Sequence, residues 1–153
     1  MSVPTQLLAL AGKWQGTNKL WMYPEAPVKE SDSIMEIAPV AMGKFASLHY
    51  TWAEEGQAQE GLLLVGSEAE AQAQVVWVDA WHMQDKMMIC LGSMEPDGGF
   101  SVRGTYAAPP GPDWGWRITL EAQEAGSLCL RMYNQTPDGL EALAVETIYR
   151  RIS

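Results

Sequence analysis

The sequence predicts an all-β domain: a closed, antiparallel, up-and-down β-barrel of about ten strands with one short helix in front of it. Three observations predict it. From Gly12 onward, short β-prone runs alternate with compact turn signals at about the 8–12-residue spacing of all-β domains. No run beyond the first dozen residues has the length and periodicity of a helix. A meander of ten strands with no helix to cover it would expose two edges, and closing on itself removes both. Closure pairs the last run, residues 140–151, with the first.

The elements follow in order. Residues 4–11 (PTQLLALA) predict a short helix, with Pro near its start and Gly12 to end it. It is too short to be stable alone. It is expected to lie across one barrel end and bury Leu7, Leu8 and Leu10. The first strand spans 12–23 and begins Gly12-Lys13-Trp14-Gln15-Gly16. Glycines on either side of one large ring let the backbone approach a neighbour closely. Trp14 is then expected to plug the barrel end beneath the helix. Pro24 and Pro27 stiffen the next loop. Further strands are expected at 29–38, 44–52, 59–66, 73–82, 86–94, 100–106, 114–122, 127–135 and 140–151. The breaks between them carry Pro39 to Gly43, Glu54-Glu55-Gly56, Gln84-Asp85, Pro96-Asp97-Gly98-Gly99, Pro109 to Pro112, Gly126 and Pro137-Asp138-Gly139. No repeat, linker or shift of composition divides residues 1–153, so one domain is expected.

Composition narrows the function. The chain has 153 residues, 47% of them hydrophobic and 19% charged, ample for one core. Its formal net charge of -9 argues against nucleic acid and anionic membrane as partners, because both repel it. Cys90 and Cys129 are the only cysteines and sit in apolar runs; buried reduced thiols are expected over a disulfide. The first residues lack a basic stretch followed by a long apolar run, which predicts a cytoplasmic location. There is no phosphate-cradling glycine loop, no H-E-x-x-H, no Cys/His quartet and no G-x-S-x-G. No metal, cofactor or catalytic residue is therefore predicted.

Alternation assigns the faces. Phe100, Val102 and Tyr106, then Trp116, Ile118 and Leu120, then Leu128, Leu130 and Met132 form apolar sets that read as interior. Arg103, Arg117 and Arg131 fall outside. In the fifth strand Trp77, Asp79 and Trp81 share one face, opposite Val76, Val78, Ala80 and His82. With the Trp face inward, two indoles wall a cavity, and Asp79 either finds donors or raises its pKa and stays neutral. With it outward, Asp79 is simply solvated. Glu146 and Arg150 share a face of the last strand. Inward, they reach Asp79 or clamp a carboxylate; otherwise they form an ion pair at the seam. Nine methionines and seven tryptophans suit an adaptable cavity lining as well as a core.

These residues resemble a known family. The Gly12-x-Trp14-x-Gly16 start is similar to that of lipocalin-like (calycin) barrels. The larger pattern resembles the bacterial domain-of-unknown-function 1579 family. It is carried by Gly43-Lys44-Phe45, Glu60-Gly61 followed by Gly66, Trp77-x-Asp79, Tyr133 before Pro137-Asp138-Gly139, and Glu146-Thr147-Ile148-Tyr149-Arg150. The family often has Gly-Tyr-Asp after its fourth strand, where this chain has Gly66-Ser67-Glu68. The resemblance implies a lipocalin-like barrel with a cavity and no particular activity. In fatty-acid-binding barrels an arginine and a tyrosine near the chain end hold a carboxylate, and Tyr149-Arg150 is loosely similar. In some related barrels one inward histidine holds haem, a role that would fall to His49 ahead of His82.

The function expected is binding of a small, largely apolar molecule inside the barrel, with Trp77, Asp79, Trp81, His49, Glu146 and Arg150 as the ligand-binding candidates. An acidic interior would favour neutral or weakly cationic ligands. The alternatives are a small enzyme using Asp79 or Glu146 as acid or base in the cavity, and a filled structural barrel whose outer face makes a homodimer.

Overall fold

The computed structural model describes residues 3–153. After a single helical turn, α1 (Thr5–Leu8), ten strands follow: β1 (Gly12–Leu20), β2 (Lys29–Val40), β3 (Phe45–Glu54), β4 (Gln57–Gly66), β5 (Gln72–Asp79), β6 (Met88–Met94), β7 (Phe100–Tyr106), β8 (Trp114–Gln123), β9 (Ser127–Gln135) and β10 (Glu141–Arg151). Each pairs antiparallel with the next, and β10 pairs with β1, so the sheet is a closed barrel. The expected all-β class, strand number and closure hold. β7 and β9 have the expected limits, and most other ends move by one or two residues, as the pattern of turns allows.

Three ends differ by more, and each difference matters for the site. β1 stops at Leu20 and not at residue 23, so Trp21 to Pro24 form part of the barrel rim. β5 stops at Asp79 and not at residue 82. The helix keeps only Thr5–Leu8 of the expected 4–11, because residues 9 to 11 turn to enter β1.

The interior face is the expected apolar one. Met35, Ile37, Leu48, Leu63, Ile118, Leu120, Leu130 and Met132 are fully buried and fill the middle of the barrel. Two inward polar pairs lie among them: the Ser33 and Tyr149 hydroxyls are 2.7 Å apart, and Thr147 Oγ1 donates to Asn18 Oδ1 at 3.2 Å. Both cysteines are buried and unbonded. No helix among the described residues is long and apolar enough to cross a membrane. On the outer surface of β4–β6, Leu64, Ile89 and Leu91 are exposed.

One end of the barrel is shut by α1. Leu7 is fully buried and Trp14 is only 2% exposed. The Trp14 indole donates from Nε1 to the Leu10 carbonyl at 2.9 Å, tying the plug to the segment above it. Arg151, opposite Trp14 across the seam, stacks its guanidinium 4.6 Å from the indole centroid. The same guanidinium donates to the carbonyls of Ala11 (2.7 Å) and Ala9 (3.1 Å), where α1 ends.

Trp14→Ala is therefore expected to destabilise the protein by about 3–5 kcal/mol, the range for truncating a large buried side chain. Equilibrium denaturation measures it; a loss under about 1 kcal/mol would show that the plug is peripheral.

Candidate functional site

The polar centre of the barrel is built on a row across three strands. Tyr50 on β3 lies opposite Gly61 on β4, and Gly61 lies opposite Asp79 on β5. Because Gly61 has no side chain, the Tyr50 ring passes over it; a Cβ there would overlap the Tyr50 hydroxyl. Tyr50 then donates from its hydroxyl to Asp79 Oδ2 at 2.6 Å and accepts from Trp77 Nε1 at 2.9 Å. Trp52 Nε1 also donates to Oδ2, at 3.3 Å. The other oxygen, Oδ1, accepts the backbone N–H groups of Trp81 (3.0 Å) and His82 (2.8 Å). Four donors thus converge on a carboxylate that is 2% exposed.

Burial pulls the Asp79 pKa up. The adjoining His82 and the Tyr50 hydroxyl outweigh it and hold the carboxyl below its ordinary value. The effect on Tyr50 is the opposite: burial, then the neighbouring carboxylate, push the phenol well above its ordinary value. At neutral pH the pair is a carboxylate and a neutral phenol.

Asp79 also ends its strand. A side chain that accepts backbone N–H groups two and three residues ahead favours a turn over a continued ladder. The Asp79 carbonyl reinforces it by accepting from Met83 N (2.9 Å) and Gln84 N (3.0 Å). Strict alternation would put His82 on the face opposite Asp79. The turn instead brings its Nδ1 to 3.2 Å from Asp79 Oδ1. The imidazole is boxed by four indoles, with ring centroids at 4.8 Å (Trp81), 5.3 Å (Trp52), 5.5 Å (Trp116) and 5.8 Å (Trp77). Trp77 and Trp116 are stacked on each other at 5.3 Å.

This assembly floors a cavity of about 480 Å³ at the barrel end away from α1. Its lining comes from the β1–β2 loop (Trp21, Met22, Tyr23, Pro24), the turn after β5 (Trp81, His82), the start of β8 (Trp114, Trp116), the end of β9 with its turn (Asn134, Thr136) and the start of β10 with the preceding Leu140. A bulge at Ala144 shifts the β9–β10 register and bends β10 beside the cavity. Polar groups on the lining are few, and Asn134 and Glu141 among them are engaged. Tyr106 donates to Asn134 Oδ1 at 2.6 Å, and Glu141 is held by Arg117 in a two-pronged ion pair at 2.7 and 2.9 Å.

The structure places the six sequence-derived candidates in two groups. Trp77, Asp79 and Trp81 lie on the inward side. Of these, only Trp81 lines the cavity; Trp77 and Asp79 sit behind the surface that His82 and Trp116 present. The other three lie outside. His49 alternates with buried Leu48 and Tyr50, is exposed, and pairs with Glu60 at 2.9 Å. Glu146 faces Arg131 on β9 and pairs with it at 2.8 Å, not with Asp79 or Arg150. Arg150 is exposed on an outer groove of the β1–β10 seam. An inward role for these three is thus corrected by the alternation of β3 and β10. A macrocycle has no imidazole from His49, and the indole box leaves none room on His82. Arg117 and Arg131 pair with carboxylates and Arg103 with Gln135, so the three outer arginines form no anion site.

A family model described as a protein of unknown function, DUF1579, matches residues 4–151. The chain belongs to the DUF1579 family. No curated protein matches it. Several residues that carried the resemblance now have physical roles in this DUF1579 chain. Gly61 clears the path of Tyr50, Trp77 and Asp79 form the buried network, and Gly16 lets β10 close on β1. Tyr50, Trp52 and Trp116, central to the site, were not singled out from the sequence as site residues, and His82 entered only behind His49 as a haem-holding histidine. The available signal was an aspartate at a strand end, the residue type that accepts from the turn following it.

Asp79→Asn is expected to destabilise this DUF1579 protein by about 2–4 kcal/mol, because the new amide turns N–H groups toward donors that need an acceptor. Asp79 also titrates lower in the folded chain than in the unfolded one. The unfolded chain therefore takes up this proton first as pH falls below about 4, and stability is lost through that window. Asp79→Asn should remove this share of the acid sensitivity. Urea melts at pH 7, 4 and 3 test both points; identical pH slopes in the two proteins would contradict the second.

Proposed function

We propose that this protein binds one small, largely apolar molecule in the cavity at the open end of its barrel. The observation that carries this reading is the indole-rich cavity of about 480 Å³, floored by a fully buried polar network. Small-molecule sites have this character: mostly apolar walls, few polar groups, and a volume of about 300–1,000 Å³. The middle of the barrel is filled, so the ligand sits in the mouth and not along the axis. The negative chain and the rim carboxylate Glu141 favour neutral or weakly cationic molecules. Two buried, unbonded thiols suit a reducing compartment, and the setting we infer is cytoplasmic. The geometry gives the enzyme reading little support. Both oxygens of Asp79 are occupied by donors, and Glu146 is outside in an ion pair.

The test is titration with 1-aminoanthracene, a neutral aromatic probe small enough for the cavity. Its emission should rise and tryptophan emission should fall, with saturation in the micromolar range. Ala142→Trp, which places an indole in the cavity, should abolish the signal and leave the fold intact by circular dichroism. A probe panel that leaves emission and melting temperature unchanged at high micromolar concentration would overturn the reading. Native mass spectrometry of protein from its own host then identifies the resident molecule.

A further inference from the structure

Buried polar atoms in folded proteins nearly always have partners, and those that lack one call for a physical reason. Among the described residues, five buried side-chain N or O atoms lack a hydrogen bond. Three of them belong to two touching residues, His82 (Nδ1 and Nε2) and Trp116 (Nε1), and both residues line the cavity. The other two, Glu54 Oε2 and Thr119 Oγ1, lie on residues away from it. His82 Nδ1 has the Asp79 carboxylate 3.2 Å away, off the line of a hydrogen bond. His82 Nε2 and Trp116 Nε1 have nothing.

We propose that His82 and Trp116 form a polar reader at the floor of the cavity, and that the ligand carries a hydroxyl group, phenolic or alcoholic, on its apolar body. This rests on the cavity being the binding site. The chemistry of the two nitrogens defines the group. Trp116 Nε1–H can only donate. In the tautomer that carries its proton on Nδ1, the nitrogen beside the Asp79 carboxylate, His82 presents Nε2 as an acceptor. One ligand oxygen that accepts from Trp116 and donates to His82 is a hydroxyl. The rings lie 5.5 Å apart, centroid to centroid, and tilted by 51°. Both nitrogens are closed to solvent, so the ligand meets them after a small shift of the His82 ring. That ring sits on a turn and not in a strand. The Asp79 carboxylate, fixed by four donors, stands beside Nδ1 and favours the proton on that nitrogen.

The experiment is displacement of bound 1-aminoanthracene by naphthalene, 2-naphthol and 2-methoxynaphthalene, three ligands with one apolar body. A cavity without a reader favours naphthalene, since the hydroxyl must be stripped of water. The reader predicts that 2-naphthol competes about tenfold or more better than naphthalene. It predicts that 2-methoxynaphthalene, which accepts but cannot donate, falls well short of 2-naphthol. Trp116→Phe keeps the stack on Trp77 and removes only the N–H; His82→Phe keeps the ring in the box. Each should abolish most of the preference for 2-naphthol while naphthalene still competes. His82→Phe leaves Asp79 without its neighbour, so Trp116→Phe decides the matter if that variant fails to fold. Equal or weaker competition by 2-naphthol in the unaltered protein overturns the reader and leaves the cavity reading standing. So does a preference that survives in Trp116→Phe. Failure of 1-aminoanthracene and all three competitors to bind overturns both.

Discussion

Closing ten strands into a ring brings the two ends of the chain into one ladder, and the rest of the molecule depends on that seam. β1 and β10 can pair only if their backbones come close, and Gly16 permits it: a Cβ there would overlap the Ile148 carbonyl oxygen. Two residues before Gly16, Trp14 meets Arg151 across the same seam. One guanidinium covers the plug, satisfies the last carbonyls after α1, and fixes the end of the last strand. A closed sheet has no free edge to pair with another chain. The remaining strands then need only short turns to follow one another round the ring.

The second constraint is the charge inside. An isolated carboxylate cannot be buried at tolerable cost. Asp79 is tolerated because neutral donors reach it from two elements: β3 supplies Tyr50 and Trp52, and the turn supplies two amides. Each donor is itself placed by something else. Tyr50 needs the gap at Gly61 and is held by Trp77, and the amides need the strand to end where it does. Chains of hydrogen bonds of this kind strengthen one another and fix a single arrangement. The same turn that satisfies Asp79 carries His82 and Trp81 to the cavity floor, so the local stabilisation of a charge and the shape of the mouth have one cause.

The fold was legible in the sequence to a greater degree than the site was. Turn residues and alternation are local signals, and they marked ten strands, their faces and, through the edge argument, closure. Asp79 on the Trp77 face was legible for the same reason. His82 was not, because the alternation rule holds only while the strand lasts, and a side chain-to-backbone bond at Asp79 ends it three residues early. Tyr50 and Gly61 were beyond reach for another reason. Their meaning is their register, Tyr50 opposite Gly61 opposite Asp79, and register across three strands is set by the whole barrel. His49, Glu146 and Arg150 are chemically attractive residue types on strands whose inward positions are taken by apolar neighbours, and geometry overrides chemistry there.

The position of Asp79 changes what an acidic interior means. From sequence, a carboxylate between two indoles is a wall of the cavity and a direct partner for a cation. In the folded barrel it is one layer back. Its two oxygens are covered by Tyr50, Trp52 and two amides, and the His82 ring stands between it and the cavity. On the binding proposed above, a molecule in the mouth would meet the carboxylate through an imidazole. A direct carboxylate would select by charge, through a long-range interaction that is weakly dependent on position. The imidazole of the proposed reader would select by a single directed hydrogen bond, which depends on where the partner atom lies. The buried charge thus stands 3.2 Å behind the ring as a fixed point, and the four indoles packed around the imidazole confine it and supply the apolar surface of the floor.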